Sequence, residues 1–546
     1  MKIRESVKLL FYVVALFGGG VFLLYALSGF GNRPQLADQG VKDKILHIAN
    51  ASEPSGIDLQ TTTGVPESKI QMALTEGLVS ENPLTSEPAP GVAESWDISE
   101  DGTVYTFHFR DALWSNGDPV TAQDFVLSYK RALSVELGNE YSYMLFGMVN
   151  AEAYFKGKID DFDEVGVKAL DNRTLRITLS SPMPYFLGLI NHHSWWPVHI
   201  ASILEHGGFT DRTNPWARLG SFVGNGPFVL SEWKVNTVLS VRKNPLYWDA
   251  DTVKLEGISF YPIESLDTEE RAFRAGQIHK TNKLPLPKIP VYIAEESPEL
   301  LNVPYLGSYH YVLNTRLDLF KDKRVRKALS LSIDRESIVR NVTGAGELAA
   351  YSIVPPNCAG YTTRITDGFD IQEAQRLLAE AGYPGGKGFP SFSILYNTLE
   401  SHKSIAEAIQ QMWKDNLGIK VGLENQEWKV YLQSKIRGDF EMARYGWIGD
   451  YVDPNTFMDL YTSNSGNNSS GWANDEFDAL IAAAAKESDP QQRLEIFHQA
   501  ETILADEVPF IPIYFYMSTY LIDQRVKGWH PHLRDEQPYK YVYLEE

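Results

Sequence analysis

The residues of this chain best placed for chemistry could grip a ligand, and none is arranged to transform one. Asp450, Arg444, Lys435 and His402 fall in one stretch of the C-terminal half. An aspartate within reach of an ammonium, with an arginine, a lysine and a histidine at different distances from a carboxylate, would hold an extended zwitterion. Charge-assisted bonds of this kind are roughly twice as strong as neutral ones. Peptide termini fit that pattern, and strand backbone lying between them can pair with ligand backbone without reading its side chains. Trp428, Trp447, Tyr141, Tyr305 and Tyr516 would then supply flat walls for whatever side chains arrive. Taken singly, an aspartate after a strand is ordinarily a turn or helix N-cap residue, and a tryptophan is ordinarily core.

Catalytic patterns are missing. The chain has no G-x-S-x-G, no H-E-x-x-H and no G-x-x-x-x-G-K-[ST]. Gly382 to Lys387 comes nearest to the last, but its glycine spacing is short and it reads as a helix C-cap and loop. With 70 acidic residues, paired carboxylates occur anywhere and give a glycosidase no specific anchor. Cys358 is the only cysteine, which rules out an intrachain disulfide and a thiolate metal cluster. No enzyme activity, cofactor or metal is expected.

The elements that must position the charged groups are strands followed by helices. Ser391 to Asn397 reads as a strand. Ile405, Ile409, Met412 and Trp413 then share one helical face, Gly418 closes that helix, and Ile419, Val421 and Leu423 alternate as the next strand. A β-α-β unit makes consecutive strands parallel, and ligands of open α/β sheets gather outside the strand carboxyl ends. His402 follows the first strand and Trp428 the second. Asp439 to Tyr445 reads as a third strand, which would bring Arg444, Trp447 and Asp450 to its exit. Earlier in the chain, Val104 to Arg110 alternates like a strand, and Thr121 with Asp124 is spaced as a capping box for a helix over Ala122 to Ala132.

A length of 546 residues allows two to four lobes, and the net charge of -20 argues against a nucleic-acid or anionic-lipid surface. Met1 to Lys8 is basic and Leu9 to Phe30 carries no charge, long enough as a helix to cross a bilayer core of about 30 Å. Residues 1–30 are therefore expected to be an export signal or an uncleaved anchor in the inner membrane, with the body outside it. Residues 31–41 are expected to be a tether.

The segment ENQEWKVYLQSKIRGDFEMARYGWIGDYVDP (Glu424 to Pro454) closely resembles the extracytoplasmic oligopeptide-binding proteins that serve ABC transporters. So do GVPES (Gly64 to Ser68), PAPGVAESWD (Pro88 to Asp97), WSNGDPVTAQDF (Trp114 to Phe125), RVRKALSLSIDRESIV (Arg324 to Val339) and SNSGNNS (Ser463 to Ser469). The resemblance implies an α/β, type II periplasmic-binding-protein fold with two ligand-gripping lobes plus an additional smaller domain. One lobe would combine 42–75, 196–306 and 517–546, the smaller domain would span 76–195, and the other lobe 307–516. It also implies that Asp450 binds a peptide α-amino group and that Arg444 and His402 face the ligand carboxylate. Lys435 stands where the family has arginine, keeping the charge and losing the bidentate fork. Trp428, Trp447, Asn467, Asn397, Tyr141, Tyr305 and Tyr516 match pocket positions. Thr63, Gly64 and Val65 match the segment whose backbone pairs with bound peptide.

The chain departs from the pattern twice. Thr343 replaces a lysine that meets the carboxylate of one ligand length, and Gly307 with Ile448 occupy the places of a disulfide pair. The implied function is capture of short peptides and their delivery to an ABC permease with its ATPase. Dipeptides, murein peptides or another small solute are alternative ligands, and a periplasmic chaperone is the alternative from a different class.

Overall fold

The computed structural model describes residues 35–546 apart from Ser86 and Asp367. The expected export signal or anchor, 1–30, lies outside the described residues. Part of the expected tether does not: Leu36–Asp43 is an α-helix of the folded body, with Ala37 and Val41 buried. Ala37 N–H donates to the Gly276 carbonyl at 2.9 Å, and Arg525 pairs with Asp38 at 2.7 Å. Two apolar residues on one helical face sufficed to draw a polar-looking stretch onto the body, so the tether reading fails from residue 36 onward.

Three main sheets organise the described chain. The first joins Ile45–Ala49 in parallel to Gly257–Tyr261, which continues antiparallel through Val238–Lys243 to Phe228–Lys234. A second, wholly antiparallel, orders Ala93–Ile98, Val104–Phe109, Thr174–Thr178 and Val167–Asp171. The helix Ala122–Ala132 lies in sequence between Val104–Phe109 and Val167–Asp171 and is opened by the reciprocal capping box of Thr121 and Asp124.

The third sheet carries the charged groups. Its order is Leu348–Ala349, Phe510–Leu521, Leu300–Leu313, Met442–Ile448, Phe392–Asn397 and Val421–Gln426. Phe392–Asn397 runs parallel to both Val421–Gln426 and Met442–Ile448, so three carboxyl ends open on one rim. The helix Glu400–Leu417 bridges the first two strands, packs Ile405, Ile409 and Trp413 into the core, and stops at Gly418, whose φ of 71° suits glycine. The third strand starts three residues later than expected, at Met442 rather than Asp439. Its antiparallel register with Leu300–Leu313, from Met442 opposite Leu313 to Ile448 opposite Gly307, sets these limits.

Leu300–Leu313 and Phe510–Leu521 are long enough to serve two cores. Leu301 and Tyr520 pack with Leu46, Ile258 and Phe260 beside the first sheet. Tyr309, Tyr311, Ile511 and Ile513 pack with Ile394, Ile405 and Trp413 under the third. Between these ends the pairing slips, from Pro304 opposite Met517 to Ser308 opposite Phe515. Proline withholds a ladder donor there, and the extra residues make a bulge that locally weakens the ribbon.

Candidate functional site

Arg444 is the centre of one group of side chains. Being inside the strand and not at its exit, its guanidinium is held against the sheet face, where Nη2 donates to the Tyr516 hydroxyl at 2.6 Å. The cation lies 4.9 Å from the centre of the Tyr309 ring. Its buried Nε has no acceptor, and among the described residues Arg444 forms no ion pair with any carboxylate. A cation held among protein atoms without a counter-ion destabilises the empty fold, a cost that a bound anion would offset.

His402, in the first turn of Glu400–Leu417, is buried and hydrogen-bonds the Tyr309 hydroxyl through Nδ1 at 3.3 Å. Burial, reinforced by the charges of Arg444 and Lys283, pushes its pKa down to about 2. His402 is therefore held in its neutral form, and what it can offer a carboxylate is a neutral N–H. Lys435, in the last turn of the helix Trp428–Arg437, holds its ammonium 3.5 Å above the Tyr445 ring. Burial, then Arg444, lowers its pKa to about 7. Trp428 opens that helix, just past the second strand.

Asp450 centres a second group, two residues beyond its strand. Its N–H donates to Thr456 Oγ1 at 3.1 Å, and the Trp447 indole donates to the Thr456 carbonyl at 2.6 Å, so one threonine fixes both neighbours. The Tyr143 hydroxyl donates to Asp450 Oδ2 at 3.4 Å across from the second sheet's domain. Tyr141 stands beside Tyr143 and edge-on to His192 and His193. Burial pushes the Asp450 carboxyl up to about 7 against the opposing pull of the Tyr143 hydroxyl and of Arg534. Arg534 instead donates to the Asp450 backbone carbonyl at 2.9 Å and pairs with Glu81 at 2.7 Å. No cation among the described residues pairs with the Asp450 carboxylate.

Other expected residues surround these two groups. Tyr305 and Tyr516 meet edge to face, ring centres 6.4 Å apart, beside the bulge of the shared ribbon. Asn397 ends its strand opposite Gln426, and both side-chain oxygens, Asn397 Oδ1 and Gln426 Oε1, are buried without a donor. The Asn467 carbonyl accepts from the Tyr445 hydroxyl at 3.2 Å, which fixes the ring under Lys435. Thr63, Gly64 and Val65 lead into the helix Val65–Leu74, and among the described residues their N–H groups make no backbone hydrogen bond. Lys69 on that helix donates to Asn282 at 2.9 Å, but among the described residues no hydrogen bond or ion pair joins 63–65 to Arg444 or Asp450. Thr343 is buried and donates to Glu347 at 2.8 Å, so this position supplies no cation. At Gly307 a Cβ would fall 2.5 Å from Ile448 Cδ1, so the isoleucine fills the space opposite it.

Sequence reasoning missed Tyr309, Tyr143 and Lys283. Lys283 acts electrostatically on His402 and on Arg444, and its own pKa is lowered by its enclosed position and then by Lys69 and Arg444. A lysine in a polar loop and two tyrosines in ordinary elements carry no local signal.

Comparison with known proteins places this geometry. The chain is 38% identical over 490 residues to the periplasmic oligopeptide-binding protein OppA of Escherichia coli, covering 88% of each chain. The solved complex of Haemophilus influenzae OppA with the peptide RPPGFSPFR superposes with a TM-score of 0.82 at 34% identity, covering 92% of this chain and 99% of that one. The E. coli murein tripeptide binding protein MppA gives 0.82 at 35% identity over 92% and 98%, whereas an unliganded open form of MppA gives 0.73 with the same identity and coverage. Residues 87–469 match the middle region of the bacterial extracellular solute-binding proteins, family 5. The chain belongs to that family of solute-binding proteins.

Proposed function

We propose that this protein is the extracytoplasmic substrate-binding receptor of an ABC importer and that it captures short peptides by their two charged ends. The observation that carries this reading is the pair of unpaired opposite charges. Arg444 has no carboxylate and Asp450 no cation among the described residues, though each is largely surrounded by protein and only partly exposed. Such a cleft is preorganised for a zwitterion, because the ligand supplies the counter-charges the fold withholds. The names of the similar proteins, OppA and MppA, support peptides as the ligand class.

In this reading the gripping lobes are 42–75 with 196–306 and 517–546, and 307–516, with 76–195 as the smaller domain. They close about the bulge near Tyr305 and Tyr516. The higher similarity to MppA than to its unliganded open form supports a closed arrangement, as does the Tyr143 to Asp450 contact. Closure would bury the peptide and shape the surface offered to the permease. Residues 9–30 would hold the receptor at the inner membrane. Among the described residues no helix is long and apolar enough to cross one.

The test is calorimetry on protein stripped of ligand by unfolding and refolding. A free tri- or tetrapeptide should bind, and N-acetylation or C-amidation should each weaken it by tenfold or more, on the order of one lost charge-assisted contact. Equal affinity for free and doubly blocked peptides would refute the reading.

A further inference from the structure

The backbone on both sides of Asp450 is tied to groups outside its own strand. Its N–H donates to Thr456 Oγ1 at 3.1 Å, and its carbonyl accepts from Arg534 Nη1 at 2.9 Å. One residue earlier, Gly449 N–H donates to the Leu306 carbonyl at 2.8 Å, and Leu306 N–H donates to the Leu533 carbonyl at 2.6 Å. The end of Met442–Ile448, the long strand Leu300–Leu313 and the C-terminal loop are thus fastened together, with Arg534 next to the junction.

Arg534 is itself held. It is buried, and its Nη2 pairs with Glu81 at 2.7 Å and with Glu536 at 2.8 Å. Glu81 ends the short strand Val79–Glu81 and is surrounded by donors: Arg534 and the Asn191 amide, at 3.0 Å, reach Oε2, while His532 Nε2 reaches Oε1 at 2.9 Å. His532 Nδ1 accepts from Arg534 N–H at 3.1 Å, which places the ring proton on Nε2, facing Glu81. Against the effect of burial, Arg534 and then His532 hold the Glu81 pKa down at about 2, so it stays an anion at neutral pH. Both terminal nitrogens of Arg534 have acceptors within the protein, and its Nε is buried away from any acceptor.

We propose that Arg534 is a positioning residue for the amino end of the peptide: gripped by Glu81 and Glu536, it sets the Asp450 backbone so that the carboxylate stands ready for the ligand ammonium. This rests on the peptide reading and adds to it a residue that acts through Asp450 and not on the ligand. A lone cation beside an ammonium site would repel the ligand, but Arg534 is paired with two carboxylates, so the set remains anionic. The same cation acts on the Asp450 carboxyl, whose pKa of about 7 reflects burial opposed by the Tyr143 hydroxyl and then Arg534, with Glu536 pushing upward. Asp459 and Tyr141 also feel the Asp450 charge, and neither is a cation.

The experiment measures by calorimetry, from about pH 5.5 to 8.5, how one free tetrapeptide and its N-acetyl form bind the stripped wild type, Arg534→Met and Arg534→Lys. The wild-type preference for the free peptide should decline toward low pH as Asp450 gains its proton. Without the cation the carboxyl titrates higher. In Arg534→Met the midpoint of that decline should therefore rise by about one unit, and the preference at neutral pH should fall about fivefold or more. Affinity for the acetylated peptide should change little, and Arg534→Lys should restore part of the preference. An arginine that only supports the fold would weaken both peptides alike and leave the midpoint in place, a result that overturns the proposal. If Arg534→Met fails to fold, Glu81→Gln decides: with one anion fewer on Arg534 the midpoint should move lower, and an unchanged or higher midpoint overturns the proposal. Failure of the free peptide to bind the wild type at every pH would refute the peptide reading itself, and the role of Arg534 with it.

Discussion

Replacing Asp450 with asparagine keeps the shape of the side chain and removes its charge, so the loss in affinity reports the bond to the ligand ammonium. The carboxylate has one side-chain donor, the Tyr143 hydroxyl at 3.4 Å, and no cation pairs with it among the described residues. A ligand ammonium would therefore make its only ion pair. At a separation of about 3 Å and an effective dielectric near 20, that attraction is about 5–6 kcal/mol. Desolvation of the ammonium offsets part of it, leaving roughly 2–4 kcal/mol, or about 30- to 1,000-fold in Kd. Calorimetry with one free tetrapeptide and its N-acetyl form on both proteins closes a double-mutant cycle. The wild type should distinguish the two peptides and Asp450→Asn should not. If Asp450→Asn bound the free peptide as tightly as the wild type does, the assignment of the amino end would be wrong.

Three further outcomes are expected. Arg444→Gln should weaken free peptides by about 30-fold or more, since hydrogen bonds to charged groups contribute roughly 1.5–3 kcal/mol each; because the cation has no counter-ion, thermal unfolding should show the empty variant no less stable than the wild type. Asp450 titrates at about 7 in the empty site, above the unfolded value of about 3.9, so the empty protein should lose stability as pH rises through that window. Binding an ammonium needs the ionised form, so affinity should fall roughly 25-fold between about pH 7.5 and 5.5, and a peptide-induced rise in Tm that is equal at both pH values would contradict this. With Thr343 turned to Glu347 and no cation there, a two- to five-residue peptide series should show more preference for length than for side chains among uncharged peptides, and the reverse ranking in a competition assay would remove the fixed-depth picture of the carboxylate end.

Much of the scaffold is legible locally. Thr121 with Asp124, the Ile405 to Trp413 face and Gly418 each act through neighbours a few residues away, and the helices they predict are present. The limits of Met442–Ile448 are not legible, because pairing with Leu300–Leu313, far away in sequence, sets them. The helix at Leu36–Asp43 hides for a similar reason: its partners are Gly276 and Arg525. Residue types at the site, above all Asp450 and Arg444, could be nominated from spacing and resemblance. Their state could not. The neutrality of His402 follows from burial beside Arg444, and the roles of Tyr309, Tyr143 and Lys283 depend on strands and loops that converge only in the folded chain.

The central claim is that this cleft exists to hold short peptides. Native mass spectrometry of the full-length protein, purified without denaturation from its own cell envelope, tests it most directly. The account predicts a stoichiometric population of the protein carrying added masses that fragment as peptides of about two to five residues, lost when Asp450→Asn and Arg444→Gln are combined. A protein that carries a non-peptide solute in that position, or keeps its peptides in the double variant, would contradict it.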